Sequence, residues 1–212
     1  YANLYNAHIY NGFELVSLHC ARFLSSNQYR CCMADSISLG NAAKLAGNTD
    51  LANWHYQQAF ETFRKNGDRF GEASSMTGLG NIALILGDYA EAERLQRGSF
   101  EIMKEIGSQK GQANSLHNLA EIFQILDNLP AAERMFKQSL AIYRNIGDRR
   151  EEASTTNSLG VIADKSGNFA EAERLFRKCI AIQTEIGDRR GEASSLNQLG
   201  INATNQGNID DG

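Results

Sequence analysis

Proline is almost missing from this sequence: 212 residues contain one, Pro130. Long helices can therefore run without a forced break. Apolar runs are short as well, and none approaches the roughly 18 residues of a membrane span. Residues 1–30 lack the charged start and apolar block of a secretory signal. Positive charge is not in excess: 21 Lys and Arg against 25 Asp and Glu give a formal charge of −4. That balance removes the footprint that phosphate-backbone binding needs, so nucleic acid and membrane are set aside as partners. Cys20, Cys31, Cys32 and Cys179 form no Cys-x-x-Cys pair and have no histidine at zinc-ligand spacing. They are expected to be reduced thiols of a cytoplasmic protein, with vicinal Cys31-Cys32 as ordinary helix residues and no metal or cofactor.

Catalytic constellations are also missing. There is no Gly-rich phosphate loop, no His-Glu-x-x-His helix and no nucleophile elbow. His8, His19, His55 and His117 are widely separated. The Glu-Ala-Glu-Arg segments at 91–94 and 171–174 place carboxylates on a helix, but Glu93 with Arg97 and Glu173 with Arg177 are i,i+4 ion pairs of a solvated face. No enzyme activity is expected.

What is present is a repeat. Residues 147–160 read GDRREEASTTNSLG and residues 187–200 read GDRRGEASSLNQLG, forty residues apart. The same block recurs at 67–80, 107–120 and, more divergently, 27–40. A fixed period of this length marks a repeat architecture, in which each unit buries its apolar face against its neighbours. A second block, GDYAEAERLQRGSFEIMKEIG at 87–107 and GNFAEAERLFRKCIAIQTEIG at 167–187, supplies a second helix to each unit.

Asn48, Asp88, Asn128, Asn168 and Asn208 are placed to cap the start of that second helix, helix B, with Pro130 in its first turn. Gly67, Gly107, Gly147 and Gly187 suit the left-handed residue that ends it. Asp68, Ser108, Asp148 and Asp188 then cap the next helix A, and Glu151 stands where it could close a capping box with Asp148. In helix A, Leu79, Ile82, Ala83 and Leu86 fall at i, i+3, i+4 and i+7, a single packing stripe repeated by Leu159, Ile162 and Ala163. Gly40, Gly80, Gly160 and Gly200, with Ala120 in the third copy, leave room for helix B beside Ala52, Ala92, Ala132 and Ala172. Tyr56, Phe136 and Phe176 fill the space one turn later.

The order Leu-Gly in helix A, Gly or Asp at the turn, and Ala then an aromatic in helix B resembles the tetratricopeptide repeat over residues 33–212. The forty-residue unit is similar to the extended repeats of kinesin light chains, of Leu-Gly-Asn adaptors and of sensor regions in bacterial signalling ATPases. Leu39-Gly40-Asn41 and Leu79-Gly80-Asn81 carry the motif, whereas Ala120-Glu121, Gly160-Val161 and Gly200-Ile201 depart from it. The resemblance implies an all-α, right-handed solenoid of antiparallel helical hairpins: four full repeats and a truncated fifth over 27–212. Residues 1–26 are expected to be a degenerate or partial repeat or the tail of another domain, with Val16, Cys20 and Phe23 at helix B core positions. The chain is expected to be part of something longer. Polar Asn202 and Gln206 suggest a last repeat that faces water.

In arrays of this kind helix A lines the concave wall. Counting turns back from Ile201 gives Asn197, Ser194 and Arg190; the equivalent stripes hold Val161, Asn157, Ser154 and Arg150, then Glu121, His117, Asn114 and Lys110. Earlier copies read Asn81, Thr77, Ser74 and Phe70, and Asn41, Ile37, Ala34 and Arg30. The peptide-binding candidates are accordingly Asn41, Thr77, Asn81, Lys110, Asn114, His117, Glu121, Arg150, Asn157, Arg190 and Asn197. Asparagine carries both donor and acceptor, which suits the backbone of an extended peptide. Arg69, Arg149 and Arg189 have Glu72, Glu152 and Glu192 three residues on and should be paired locally. Arg150 and Arg190, with Lys110 and Arg30, form a basic ladder favouring an acidic partner. The clamp that binds chaperone tails is out of register, since Ile37, Asn41, Gly78, Asn114 and Asn118 occupy its positions.

These readings lead to a protein or peptide interaction module, the sensor or adaptor part of a larger signalling protein. Two alternatives remain: a domain that regulates an enzyme on its own chain, and a self-associating scaffold.

Overall fold

The computed structural model describes residues 26–210. Its helices are α1 (Ser26–Leu45), α2 (Thr49–Lys65), α3 (Arg69–Ile85), α4 (Tyr89–Glu105), α5 (Gln109–Ile125), α6 (Leu129–Ile146), α7 (Arg149–Lys165), α8 (Phe169–Glu185) and α9 (Arg189–Asp210). The segment 1–25, including Val16, Cys20, Phe23, His8 and His19, lies outside the described residues, as do the side chains of Arg30, Cys31, Cys32 and Ala34.

Each helix packs on the next, giving a right-handed α-solenoid of antiparallel hairpins. Alternate helices also touch at α1–α3, α3–α5 and α7–α9, with no comparable contact between helices B among the described residues. Helices A are therefore crowded together on the inner side of the curve.

Local chemistry sets the hairpins. The side chains of Asn48, Asp68, Asp88, Ser108, Asn128, Asp148, Asn168 and Asp188 each accept a hydrogen bond from the amide three residues on. The backbone turns left-handed at Gly67, Gly107, Gly147 and Gly187, and equally at the A-to-B turns, where Asp127 at φ 57° stands in the place of Gly47, Gly87 and Gly167. The expected capping box at Asp148 does not close. After Gly147 the Asp148 N–H donates to the Tyr143 carbonyl at 3.0 Å, so it has no need of Glu151.

Ala52, Ala92, Ala132 and Ala172 are all 0% exposed, and Tyr56, Phe136 and Phe176 are nearly as deeply buried. Gly40 and Gly160 are needed, because a Cβ there would lie 2.7 Å from the Tyr56 ring and 2.6 Å from the Phe176 ring. In the second repeat the aromatic is replaced by Gln96, whose Nε2 donates to Thr77 O and Asn81 Oδ1 while its buried Oε1 has no partner.

Four other expectations fail. Leu86 is 65% exposed: it caps α3 and projects from the hairpin end while Leu79, Ile82 and Ala83 pack. A Cβ placed on Gly200 would meet nothing within 4 Å, so no close approach is seen there among the described residues. Asn208 caps nothing, since α9 continues through it to Asp210. Asn202 does not face water. It is 1% exposed, and its Nδ2 donates to Phe169 O at 3.2 Å, so its amide ties α9 to the start of α8.

Candidate ligand-binding groove

The inner wall is built by the sides of α1, α3, α5, α7 and α9 that turn away from their helices B. Along α7, residues 150, 154, 157 and 161 share one side because 100° per residue returns the chain to nearly the same bearing after three or four positions. The structure brings part of this wall into one concave pocket of about 340 Å3, lined by Leu84, Glu121, Gln124, Ile125, Asn157, Ser158 and Val161. Three successive helices A contribute to it.

Several predicted residues also bind their own scaffold. Asn41 Oδ1 accepts the Tyr56 hydroxyl at 2.7 Å, Asn81 Oδ1 accepts Gln96 Nε2 at 3.1 Å, and Asn114 Oδ1 accepts the Tyr143 hydroxyl at 2.7 Å. Asn157 Oδ1 accepts Ser195 Oγ at 3.4 Å, across a repeat boundary. The acceptor of each amide is thus engaged within the protein. Its NH2 group makes no hydrogen bond among the described residues, so the wall offers donors. Asn197 is exposed.

Thr77 is tied inward, with its hydroxyl 2.9 Å from Ser99 Oγ and 3.2 Å from Ala73 O. His117 is half-buried between repeats: Nδ1 lies 3.0 Å from Thr155 Oγ1, Nε2 lies 3.5 Å from Glu121, and the ring meets Phe136 edge-on at 5.1 Å. It acts as a joint between α5 and α7.

The charged residues divide more sharply than the spacing indicates. Arg69 bridges Glu72 at 2.7 Å and Glu105 at 2.6 Å, and Arg149 bridges Glu152 at 2.5 Å and also Glu185. Burial alone would raise the Glu152 carboxyl, but hydrogen bonds from Arg144 and Arg149 outweigh it and hold the group below the usual range. Arg189 and Glu192 form no such pair. Lys110 is not a free member of a ladder: its ammonium meets Asp148 Oδ2 at 2.9 Å, and that bond holds the Asp148 carboxyl below its ordinary range. Arg150 and Arg190 are exposed and in no ion pair among the described residues.

Leu84, Gln124, Ile125 and Ser158 are pocket residues that the turn count missed. Their signal was available, because Gln124 and Ile125 lie one turn beyond Glu121 and repeat the positions of Leu84 and Ile85. No group of three or more potential metal ligands occurs among the described residues. No helix there is long and apolar enough to cross a membrane.

A concave wall of stacked hairpins defines the class of α-solenoid scaffolds, a fold that generally mediates protein–protein interaction. Models of the tetratricopeptide repeat match residues 31–105, 71–145 and 111–185, and the chain belongs to that family. No curated protein matches the sequence. Solved structures share the fold at low identity. The tetratricopeptide-like repeats of a putative kinesin light chain from Podosopora anserina are 17% identical at a TM-score of 0.67, over 84% of this chain and 89% of that one. BtubC (BKLC) from P. vanneervenii is 18% identical at 0.77, over 96% and 84%. A signal-transduction ATPase with numerous domains and a tetratricopeptide-repeat sensor, from Pyrococcus horikoshii, is 17% identical at 0.73 over 84% of this chain, which spans only 28% of that protein.

Proposed function

We propose that the concave wall binds an extended peptide or a partner's helix, and that the chain serves as the sensor or adaptor part of a larger signalling protein. The observation that carries this reading is the shared pocket of α3, α5 and α7. Exposed Ile125 and half-buried Leu84 and Val161 give it apolar contact, and the Asn157 amide gives it a hydrogen-bond donor beside them. Donors at Asn41, Asn81, Asn114 and Asn157 match the carbonyl oxygens that every extended peptide presents, which lets the groove hold a backbone with little regard to side chains. Exposed Arg150 and Arg190 at one rim favour a partner with carboxylates. The repeat array occurs in a signalling ATPase as its sensor, which supports the same role here and also the alternative of regulating an attached enzyme.

Site-specific photo-crosslinking tests the assignment. A benzophenone side chain at Ile125, in the groove, should give discrete adducts with proteins of a cell extract, whereas the same group at exposed Ala181 on α8 should not. Adducts from Ala181 alone would place the binding face elsewhere.

A further inference from the structure

The forty-residue register allows each gap between repeats to be compared with the same gap one repeat earlier. Between α4 and α6 the space over α5 is filled from within. Phe100 on α4 and Phe123 on α5 are half-buried there, and the Arg97 guanidinium lies 5.8 Å from the centre of the Phe123 ring. One repeat on, Leu140 replaces Phe100, Ala163 replaces Phe123 and Lys137 replaces Arg97. Two rings are lost together.

The gap between α6 and α8 is accordingly a cleft of about 290 Å3, floored by Leu140, Leu159, Ile162, Ala163 and Leu175. It is separate from the groove. On α7, residues 159, 163 and 166 lie on the opposite side from residues 157 and 161. Three cations stand at its rim, Lys137, Arg144 and Arg174, against two acids, Glu133 and Glu171. Glu133 pairs with Lys137 at 2.7 Å and Glu171 with Arg174 at 2.6 Å, while Arg144 reaches Glu152 at 3.0 Å. One turn beyond Arg174, burial and then the neighbouring Arg144 guanidinium lower the Lys178 ammonium.

We propose that this convex cleft is a second binding site, which takes an aromatic side chain of a partner polypeptide with a carboxylate beside the ring. The ring replaces what Phe123 supplies from within one repeat earlier, and the carboxylate meets Arg144, whose acid, Glu152, is shared with Arg149. The volume is at the lower limit of small-molecule pockets, about 300 Å3, and suits a single side chain. A guanidinium or ammonium beside the seated ring adds a cation–π contact like that of Arg97 with Phe123.

The test is a titration of the protein, with labelled methyl groups, by N-acetyl-Asp-Phe-amide, followed by NMR up to about 20 mM because a fragment of this size binds with a dissociation constant on the order of 1–10 mM. Saturable shifts at Leu140, Ile162 and Leu175, with Val161 in the groove unmoved, are expected. N-acetyl-Asn-Phe-amide should bind several-fold more weakly. Ala163→Phe should fill the cleft, raise the melting temperature and abolish the shifts; if it fails to fold, Ala163→Leu serves the same comparison. Absence of saturable shifts would overturn the proposal, and so would unchanged shifts in a folded filled-cleft variant. Saturable shifts with phenylacetate but not with the dipeptide would overturn the polypeptide partner. None of these outcomes depends on whether the concave groove binds anything.

Discussion

The Tyr143 hydroxyl on α6 donates to Asn114 Oδ1 on α5 at 2.7 Å, joining a core side chain that is 1% exposed to the wall of the groove. The bond serves two ends. It satisfies a buried hydroxyl inside the hairpin, and it leaves the amide NH2 group without a hydrogen bond among the described residues. Burial, and then the nearby Glu151 charge, push the Tyr143 phenol well above its ordinary value.

Tyr143→Phe is expected to lose about 1 kcal/mol of stability at neutral pH, the usual net worth of such a bond. The linkage has a definite sign. Because the folded phenol is harder to ionise than the unfolded one, its contribution is complete below the unfolded value near 10 and is lost as pH rises above it. Urea unfolding at pH 7 and at pH 11 checks this: the difference between wild type and variant should shrink at the higher pH.

Gln96 occupies the register position of Tyr56, Phe136 and Phe176, with an unpartnered buried acceptor, Oε1. Gln96→Phe removes that atom from the core and adds apolar burial, and is expected to stabilise the protein by about 1 kcal/mol. Thermal unfolding measures it. A lower melting temperature would mean that the Gln96–Asn81 bond outweighs the orphaned oxygen.

Asp127 adopts a left-handed backbone where three sibling turns use glycine. Asp127→Gly should gain about 0.5 kcal/mol, while Asp127→Val, a branched residue forced to the same φ, should lose about 1–2 kcal/mol. Denaturant midpoints of the two variants should move in opposite directions.

Much of the fold was legible because one unit is written several times. Caps at Asn48, Asp88 and Asp148 and turns at Gly67 and Gly107 need only local chemistry, and local chemistry is what a sequence displays. Asn208 failed as a cap because the helix runs through it to Asp210 instead of starting there. The groove was legible as a stripe, since turn counting assigns Asn157 and Val161 to one side of α7. What the stripe could not show was the far partner of each side chain: Tyr143 for Asn114 and Thr155 for His117 come from another helix, and Asp148 for Lys110 from the cap before α7. The cleft at Ala163 illustrates the same limit. Its missing rings are visible in the register, but only the packing of α6, α7 and α8 shows that nothing else fills the space.

Arg150 and Arg190 are the exposed cations of the groove rim, whereas Lys110 is engaged with Asp148. Reversal at Arg150 and Arg190 to glutamate should weaken binding of an acidic peptide and flatten its salt dependence. Lys110→Gln should have the smaller effect. Titrations at low and high salt compare the three.

Under the proposed function, amide donors on the inner wall hold a peptide backbone. Replacing Asn81, Asn157 and Asn197 together by aspartate keeps the oxygens that accept from Gln96 and Ser195 and removes the donors. The decisive measurement is calorimetric titration of wild type and this triple variant with a groove-binding peptide selected from a random library. A folded variant whose affinity falls on the order of tenfold or more is the predicted result, and a folded variant that binds the peptide with undiminished affinity would contradict the account.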